Sequence, residues 1–248
     1  MSTLDGGRNL THQVTYNLGA AIVRGDYGLN EHFPTEAELC EQFDISRSVI
    51  REAVKMLTAK GLISSRPRQG IRVQPNSNWN MFDVDVLQWT LSGRPSLPLL
   101  REFTELRIGI EPEAAILAAR KQNTVNIARI HDALGRMEAA ERGQDDALEA
   151  DIAFHTALLV ASENRFFIQL CNFIETALRV SIACTNQIKG VGVASKADHR
   201  AVYRAIVEGD QLGAHNAMLS LLTEALALID ASIGANATDG DGRSPTYP

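Results

Sequence analysis

A chain of 248 residues, 45% hydrophobic and 22% charged, has the balance of an ordinary folded protein and the length for two domains, which excludes the disordered and fibrous classes. No apolar run reaches the ~18 residues of a bilayer-spanning helix, and the start "MSTLDGGRNLTHQ" has no signal-peptide core, so a cytoplasmic protein without a membrane partner is expected. The three cysteines (Cys40, Cys171, Cys184) are far apart and odd in number, which excludes a disulfide framework.

The formal charge of −6 is unevenly spread: residues 1–80 hold nine Lys/Arg against eight Asp/Glu, and the remainder 15 against 22. In chain order, Val14, Leu18 and Ile22 at four-residue steps predict a helix over 9–25. In "FPTEAELCEQF", Thr35 and Glu38 have capping-box spacing, so a short helix starts there. Ser46, after the turn "DIS", is an N-cap candidate for a third helix ending near Lys60-Gly61. On that helix Arg47, Arg51 and Lys55 form a basic stripe, and Ile50, Val54 and Leu57 an apolar one. The β-like pieces "LISS" and "IRVQP" flank the tight turn "RPRQG". Between positions 46 and 72 seven bases (Arg47, Arg51, Lys55, Lys60, Arg66, Arg68, Arg72) face one acid, Glu52. Such a patch is the footprint of a polyanion binder, and the element order is that of a winged helix-turn-helix.

The stretch "FPTEAELCEQFDISRSVIREAVKMLTAKGLISSRPRQGIRV" closely resembles the DNA-binding domain of GntR-type bacterial transcription regulators. The resemblance implies that the third helix enters the major groove of operator DNA and the wing tip touches the adjacent minor groove. By position, Ser46, Arg47, Ser48 and Arg51 are then the groove and phosphate contacts, and Arg66, Arg68 and Gly70 the wing. Where many members carry a base in the first helix of the motif, this chain has Ala37.

After residues 8–76, assigned to the winged helix-turn-helix, a linker with a short helix ("MFDVDVLQWTLSG") is expected over 77–97, and an all-helical bundle over 98–233. The tail 234–248 is too polar to pack and is expected to be disordered. The fold class is thus mainly α. Helix 98–121 is expected to bury Leu99, Phe103, Leu106, Ile110, Ala114 and Leu117, with Arg107 on the border. Arg107 pairs with Glu111 at i,i+4, or else faces a cavity and clamps a carboxylate.

In "EADIAFHTALLV", Leu148, Ile152 and Leu159 mark an apolar face with His155 at its centre and Asp151 one turn earlier. His199 shares a face with Tyr203 and Ile206, and Ser195 joins it if that helix starts early enough. Asp plus two His suits a divalent cation such as Zn²⁺, Ni²⁺ or Mn²⁺. Residues 98–232 resemble the ligand-binding domain of the FadR-type subfamily, the FCD domain, many members of which hold a metal. That resemblance implies Asp151, His155 and His199 as metal ligands. At its fourth ligand position stands Leu221, and His215, six residues earlier, is on another side of the helix. "NWNMFDVDVLQWTL" and "ELRIGIEPEAA" further resemble repressors of sugar-acid catabolism of the D-galactonate-responsive type. By position, Arg107, Asp151, His155, Ser195 and His199 then line the effector cavity, which implies a repressor released from its operator by an aldonate or another small carboxylate. A single recognition helix per chain reads few base pairs, so a homodimer is expected. A metal-dependent hydrolase would also use Asp/His/His, and an architectural DNA binder would use the first half alone; neither accounts for both halves.

Overall fold

The computed structural model describes residues 5–29, 31–92, 96–189 and 196–239, with backbone only at 5–9, 185–189 and 236–239. The chain divides at Gly93–Arg94 into two compact units.

In the first unit α1 (Asp5–Arg24) lays Val14, Leu18 and Ile22 against α3 (Arg47–Ala59), which contributes Ile50, Ala53, Val54 and Leu57. The short α2 (Glu36–Phe43) opens on a complete capping box. Glu38 N–H donates to Thr35 Oγ1 at 3.3 Å, and Thr35 N–H donates to Glu38 Oε2 at 2.7 Å. Ser46 is the N-cap of α3 by position, but its side chain makes no capping bond. The antiparallel hairpin β1 (Ile63–Arg66) and β2 (Gly70–Val73) pairs Ile63 with Val73 and Arg66 with Gly70. Ile63, Ile71 and Val73 close the core from the wing side.

Gly61 follows the end of α3 with φ +78°, and a Cβ there would lie 2.1 Å from the carbonyl oxygen of Asn78. Both the left-handed backbone and the backbone neighbour forbid a side chain. Gly61→Ala should therefore cost at least ~2 kcal/mol, read as a lowered melting temperature; an unchanged melt would show that 74–80 gives way.

The segment expected as a linker is largely built into this unit. Its helix α4 (Val84–Leu91) buries Val86 and Trp89 in the same core, and Gly19 of α1 makes the room: a Cβ there would stand 2.3 Å from the Trp89 ring. Lys60, one of the seven bases counted by sequence between 46 and 72, is turned inward with 11% of its side chain exposed. Its ammonium donates to Asp83 Oδ1 and Oδ2 at 2.7 and 2.8 Å and to Asp85 Oδ2 at 2.8 Å. Burial disfavours that charge, but the two carboxylates outweigh it and raise the Lys60 pKa. The basic patch thus loses one member to the anchoring of α4.

The second unit is helical throughout its described residues: α5 (Leu97–Lys121), α6 (Thr124–Glu141), α7 (Ala147–Ala161), α8 (Arg165–Gln169), α9 (Cys171–Lys189), α10 (Lys196–Glu208) and α11 (Gln211–Asp239). α5 packs on α11 and α7, α6 on α7, and α10 on α11 and α5. The buried stripe of α5 is rotated from the expected one. Leu100, Phe103, Thr104, Arg107, Glu111, Ala114, Ala115 and Ala118 face inward, while Leu99, Leu106, Ile110 and Leu117 are only half-buried. Arg107 is therefore at the middle of the buried face, not its border. The expected stripe fails because Arg107 and Glu111, one turn apart, neutralise each other and His155 of α7 engages the second carboxylate oxygen, which removes the usual reason for charged residues to point outward.

α11 runs on past Ile233 to Asp239, where a disordered tail was expected; 240–248 lie outside the described residues. Contrary to the reading of apolar runs, its stretch Gln211–Ala235 is long and apolar enough to cross a bilayer by length and composition. In the fold one face of it buries Ala214, Met218, Leu222 and Ile229, while the rest of the stretch is half-buried or exposed.

Candidate functional site

Two places gather functional side chains, one in each unit. In the first, Ser46, Arg47, Ser48 and Arg51 open α3, and all four are exposed. Ser46 and Ser48 face each other with their Oγ atoms 3.0 Å apart. Uncapped first-turn amides beside two exposed hydroxyls suit a phosphate oxygen. Arg51 leans toward Glu36 at 3.6 Å, a surface pair that binds it weakly. Arg66, Arg68 and Gly70 form the hairpin turn, all exposed. Arg68 (φ +66°) and Gly70 (φ +74°) are both left-handed. A left-handed arginine costs backbone energy that glycine would avoid, so the turn keeps a cation at its tip at the expense of stability.

In the second unit a chain of polar groups runs through the bundle interior. Arg107, Glu111, Asp151, His155 and His199 are each no more than 3% exposed. Arg107 Nε donates to Glu111 Oε1 at 2.6 Å and Nη2 to Oε2 at 3.3 Å. Glu111 Oε2 also lies 2.7 Å from His155 Nδ1. On the far side of the ring, His155 Nε2 stands 3.3 Å from Asp151 Oδ1, and His199 Nε2 3.1 Å from the same oxygen. Phe154 packs edge-on against both imidazoles.

Arg107 Nη2 is 3.1 Å from both ring nitrogens of His155. A point equidistant from both cannot lie in the ring plane without striking Cε1, so Nη2 stands out of that plane, against the ring face. The in-plane lone-pair directions of His155 are thus left to Glu111 on one side and Asp151 on the other. Among the described residues, Nη1 of Arg107 takes no hydrogen-bond partner.

Charge follows from this geometry. Burial pushes the Glu111 carboxyl up, but Arg107 and His155 outweigh it and bring it down to about 2. Burial acts likewise on Asp151, and the bonds from His155 and His199 carry it well below the usual carboxylate range. For His155, burial disfavours the cation and Glu111 and Asp151 more than restore it, so its pKa is raised, with Arg107 opposing.

The ligand atoms of Asp151, His155 and His199 lie within 4.8 Å of one another. Neighbouring ligands on one cation, at bonds of about 2.1 Å, stand roughly 3.0–3.4 Å apart, and the two spacings to Asp151 Oδ1 fit that. They also fit N–H···O bonds, so a proton or a cation satisfies the same atoms. Leu221 is half-buried on α11, and His215 Nδ1 lies 3.3 Å from Asn216 Oδ1 rather than in the cluster. Of the residues read from the sequence, the fold brings together Arg107, Asp151, His155 and His199; Ser195 lies outside the described residues. The sequence offered Glu111 only as a partner of Arg107; its bond to His155 joins residues 44 apart and left no local signal.

Comparison with known proteins agrees with both halves. Residues 10–73 match the bacterial regulatory proteins of the gntR family, and 102–224 match the FCD domain. The chain is 34% identical to the galactonate operon transcriptional repressor of Escherichia coli over 86% of its own length and 94% of that protein's. It is 32% identical to the uncharacterized HTH-type transcriptional regulator YieP of the same organism, over 87% and 93%. A solved structure described as "Lar controls the expression of the Listeria monocytogenes agr system and mediates virulence" shares the fold, with TM-score 0.57 at 22% identity, covering 93% of this chain and 98% of that one. These relatives are regulators, which sets the hydrolase reading aside. The chain belongs to the gntR family of bacterial regulatory proteins, with an FCD domain as its helical half, and is a DNA-binding transcriptional regulator rather than an enzyme.

Proposed function

We propose that this regulator is a homodimeric repressor of sugar-acid catabolism, released from its operator by a small polyhydroxy acid such as galactonate. The reading rests on one observation above all: a buried arginine held against a histidine, with one edge of its guanidinium lacking a partner among the described residues. A planar fork of that kind recognises a carboxylate, and the neighbouring imidazoles and carboxylate of His155, His199 and Asp151 suit hydroxyls. The galactonate operon repressor, similar over most of both chains, supports the same substrate class. Ser195 is proposed as a further hydroxyl partner.

Charge favours a cation in the cluster. With both histidines neutral, Arg107, Glu111 and Asp151 sum to −1, which repels an acid; a divalent cation held by Asp151, His155 and His199 makes the cluster +1. When bound, the cation would supply open coordination positions for a carboxylate and a 2-hydroxyl. Zn²⁺, Ni²⁺ and Mn²⁺ all suit the donor set.

On the DNA side, Arg47 and Arg51, with Ser46 and Ser48, are proposed to meet the major groove and its phosphates, and Arg66, Arg68 and Gly70 the adjacent minor groove. In gel-shift titrations with DNA upstream of the gene and its neighbours, Arg47→Ala should weaken binding by roughly 1–3 kcal/mol if it reads a base. Unchanged binding removes Arg47 from the interface. One recognition helix reads few base pairs, so a dimer on a two-fold operator is expected. Light scattering that gives a monomer both free and on DNA would overturn this. The reading as a whole is tested by adding sugar acids to the protein–operator complex: a six-carbon aldonate should release it, and a response to none of them defeats the assignment.

A further inference from the structure

We infer that Glu111 is the positioning residue of the effector site, holding His155 as the Nδ1–H tautomer so that Nε2 presents its lone pair to the cation. The inference rests on the proposed cation site and assigns a role to a residue that the cluster of three ligands does not include.

Glu111 is fully buried and divides its two oxygens between two partners. Oε1 takes the short bond from Arg107 Nε (2.6 Å), and Oε2 lies 2.7 Å from His155 Nδ1. A carboxylate only accepts, so the proton of that second bond is on Nδ1. Nε2 faces Asp151 Oδ1 at 3.3 Å, where a proton or a cation satisfies the pair. A cation that displaces that proton meets a neutral imidazole whose one N–H stays on Nδ1 and whose lone pair is at Nε2. Arg107 cannot set this choice, because its Nη2 is over the ring face at 3.1 Å from both nitrogens. Phe154 is edge-on to the imidazole and offers no acceptor. Among the described residues, Glu111 alone accepts from Nδ1. The same carboxylate fixes Arg107, so one buried group aligns both the cation's ligand and the acid's clamp. Carboxylates placed behind a ligating histidine contribute in this way in many metal sites.

The test must separate the acceptor from the charge, since a lone Glu111 substitution leaves Arg107 buried without its counter-ion. Two double variants do so: Arg107→Met/Glu111→Gln keeps an acceptor for Nδ1–H, and Arg107→Met/Glu111→Leu removes it. Both carry the same net charge. Zn²⁺ affinity is measured by competition with a chromophoric chelator, with thermal melts as the control for folding. The Glu111→Leu double variant should bind Zn²⁺ about 10–100-fold more weakly than the Glu111→Gln one, while their melts agree. Nitrogen-15 NMR of labelled histidine should show a protonated Nδ1 on His155 in wild type and in the Glu111→Gln double variant, even without Zn²⁺. Equal Zn²⁺ affinity of the two double variants, or a melt difference that tracks the affinity loss, overturns the inference. A wild type that takes up no Zn²⁺ overturns the cation site itself, and is distinguished by the unchanged Nδ1 signal.

Discussion

Arg107→Ala should destabilise the helical unit by about 3–5 kcal/mol, because it leaves Glu111 charged, fully buried and without its main counter-ion. For a unit of this size the melting temperature should drop on the order of 10 °C. Arg107→Met/Glu111→Leu, which removes both charges, should recover most of that loss, since a buried pair exchanged for apolar groups of similar volume is often neutral. A single substitution as harmless as the double would mean that the pair is not buried as described. The pH dependence of the cation-free protein follows from the same groups. Glu111 is brought from its ordinary 4.5 to about 2, so its contribution is complete above 4.5 and fades as the pH falls toward 2. Asp151, also lowered, adds to the loss on the acid side. His155 is raised above 6.5, so its contribution is complete below 6.5 and is lost as the pH rises through its folded value. Stability should therefore be greatest between about 4.5 and 6.5, and melts across pH 2–9 would expose a different optimum.

What the sequence made legible was local. The capping box at Thr35 and Glu38, the apolar steps Val14–Leu18–Ile22 and the glycine closing α3 lie within a turn or two of their partners. Asp151 and His155, one turn apart, could be read as a pair from spacing alone, and the resemblance to a known domain added His199 at its distance. The misreadings share one cause. Lys60 counted toward the basic patch until Asp83 and Asp85, 23 and 25 residues on, turned it inward. Arg107 looked like a border residue because hydrophobicity ranks leucines above ions, and Glu111 and His155 together reversed that order. The cost of burying a charge is cancelled by hydrogen-bonded partners, some of them far along the chain, and an apolar periodicity over one helix registers none of them.

A second large effect is expected at the effector. With Zn²⁺ supplied, a six-carbon aldonate should release the protein from its operator at a concentration at least tenfold lower than after chelation, a coupling of about 1–3 kcal/mol. The expected coupling is electrostatic before it is geometric. The cation-free cluster reaches neutrality only by protonating a histidine, and it then has no surplus positive charge for the acid. A bound divalent ion leaves one unit of positive charge, which an incoming carboxylate cancels in a medium where charge is poorly screened. Linkage requires reciprocity, so the aldonate should tighten Zn²⁺ binding by the same factor that Zn²⁺ tightens the aldonate. Asp151→Asn keeps the shape of the cluster and removes the charge that holds the ion. It should give a repressor that binds its operator, responds weakly to the acid and is indifferent to chelator. Equal release with and without chelator in the wild type would mean that Asp151, His155 and His199 meet the hydroxyls directly, with the cation playing no part.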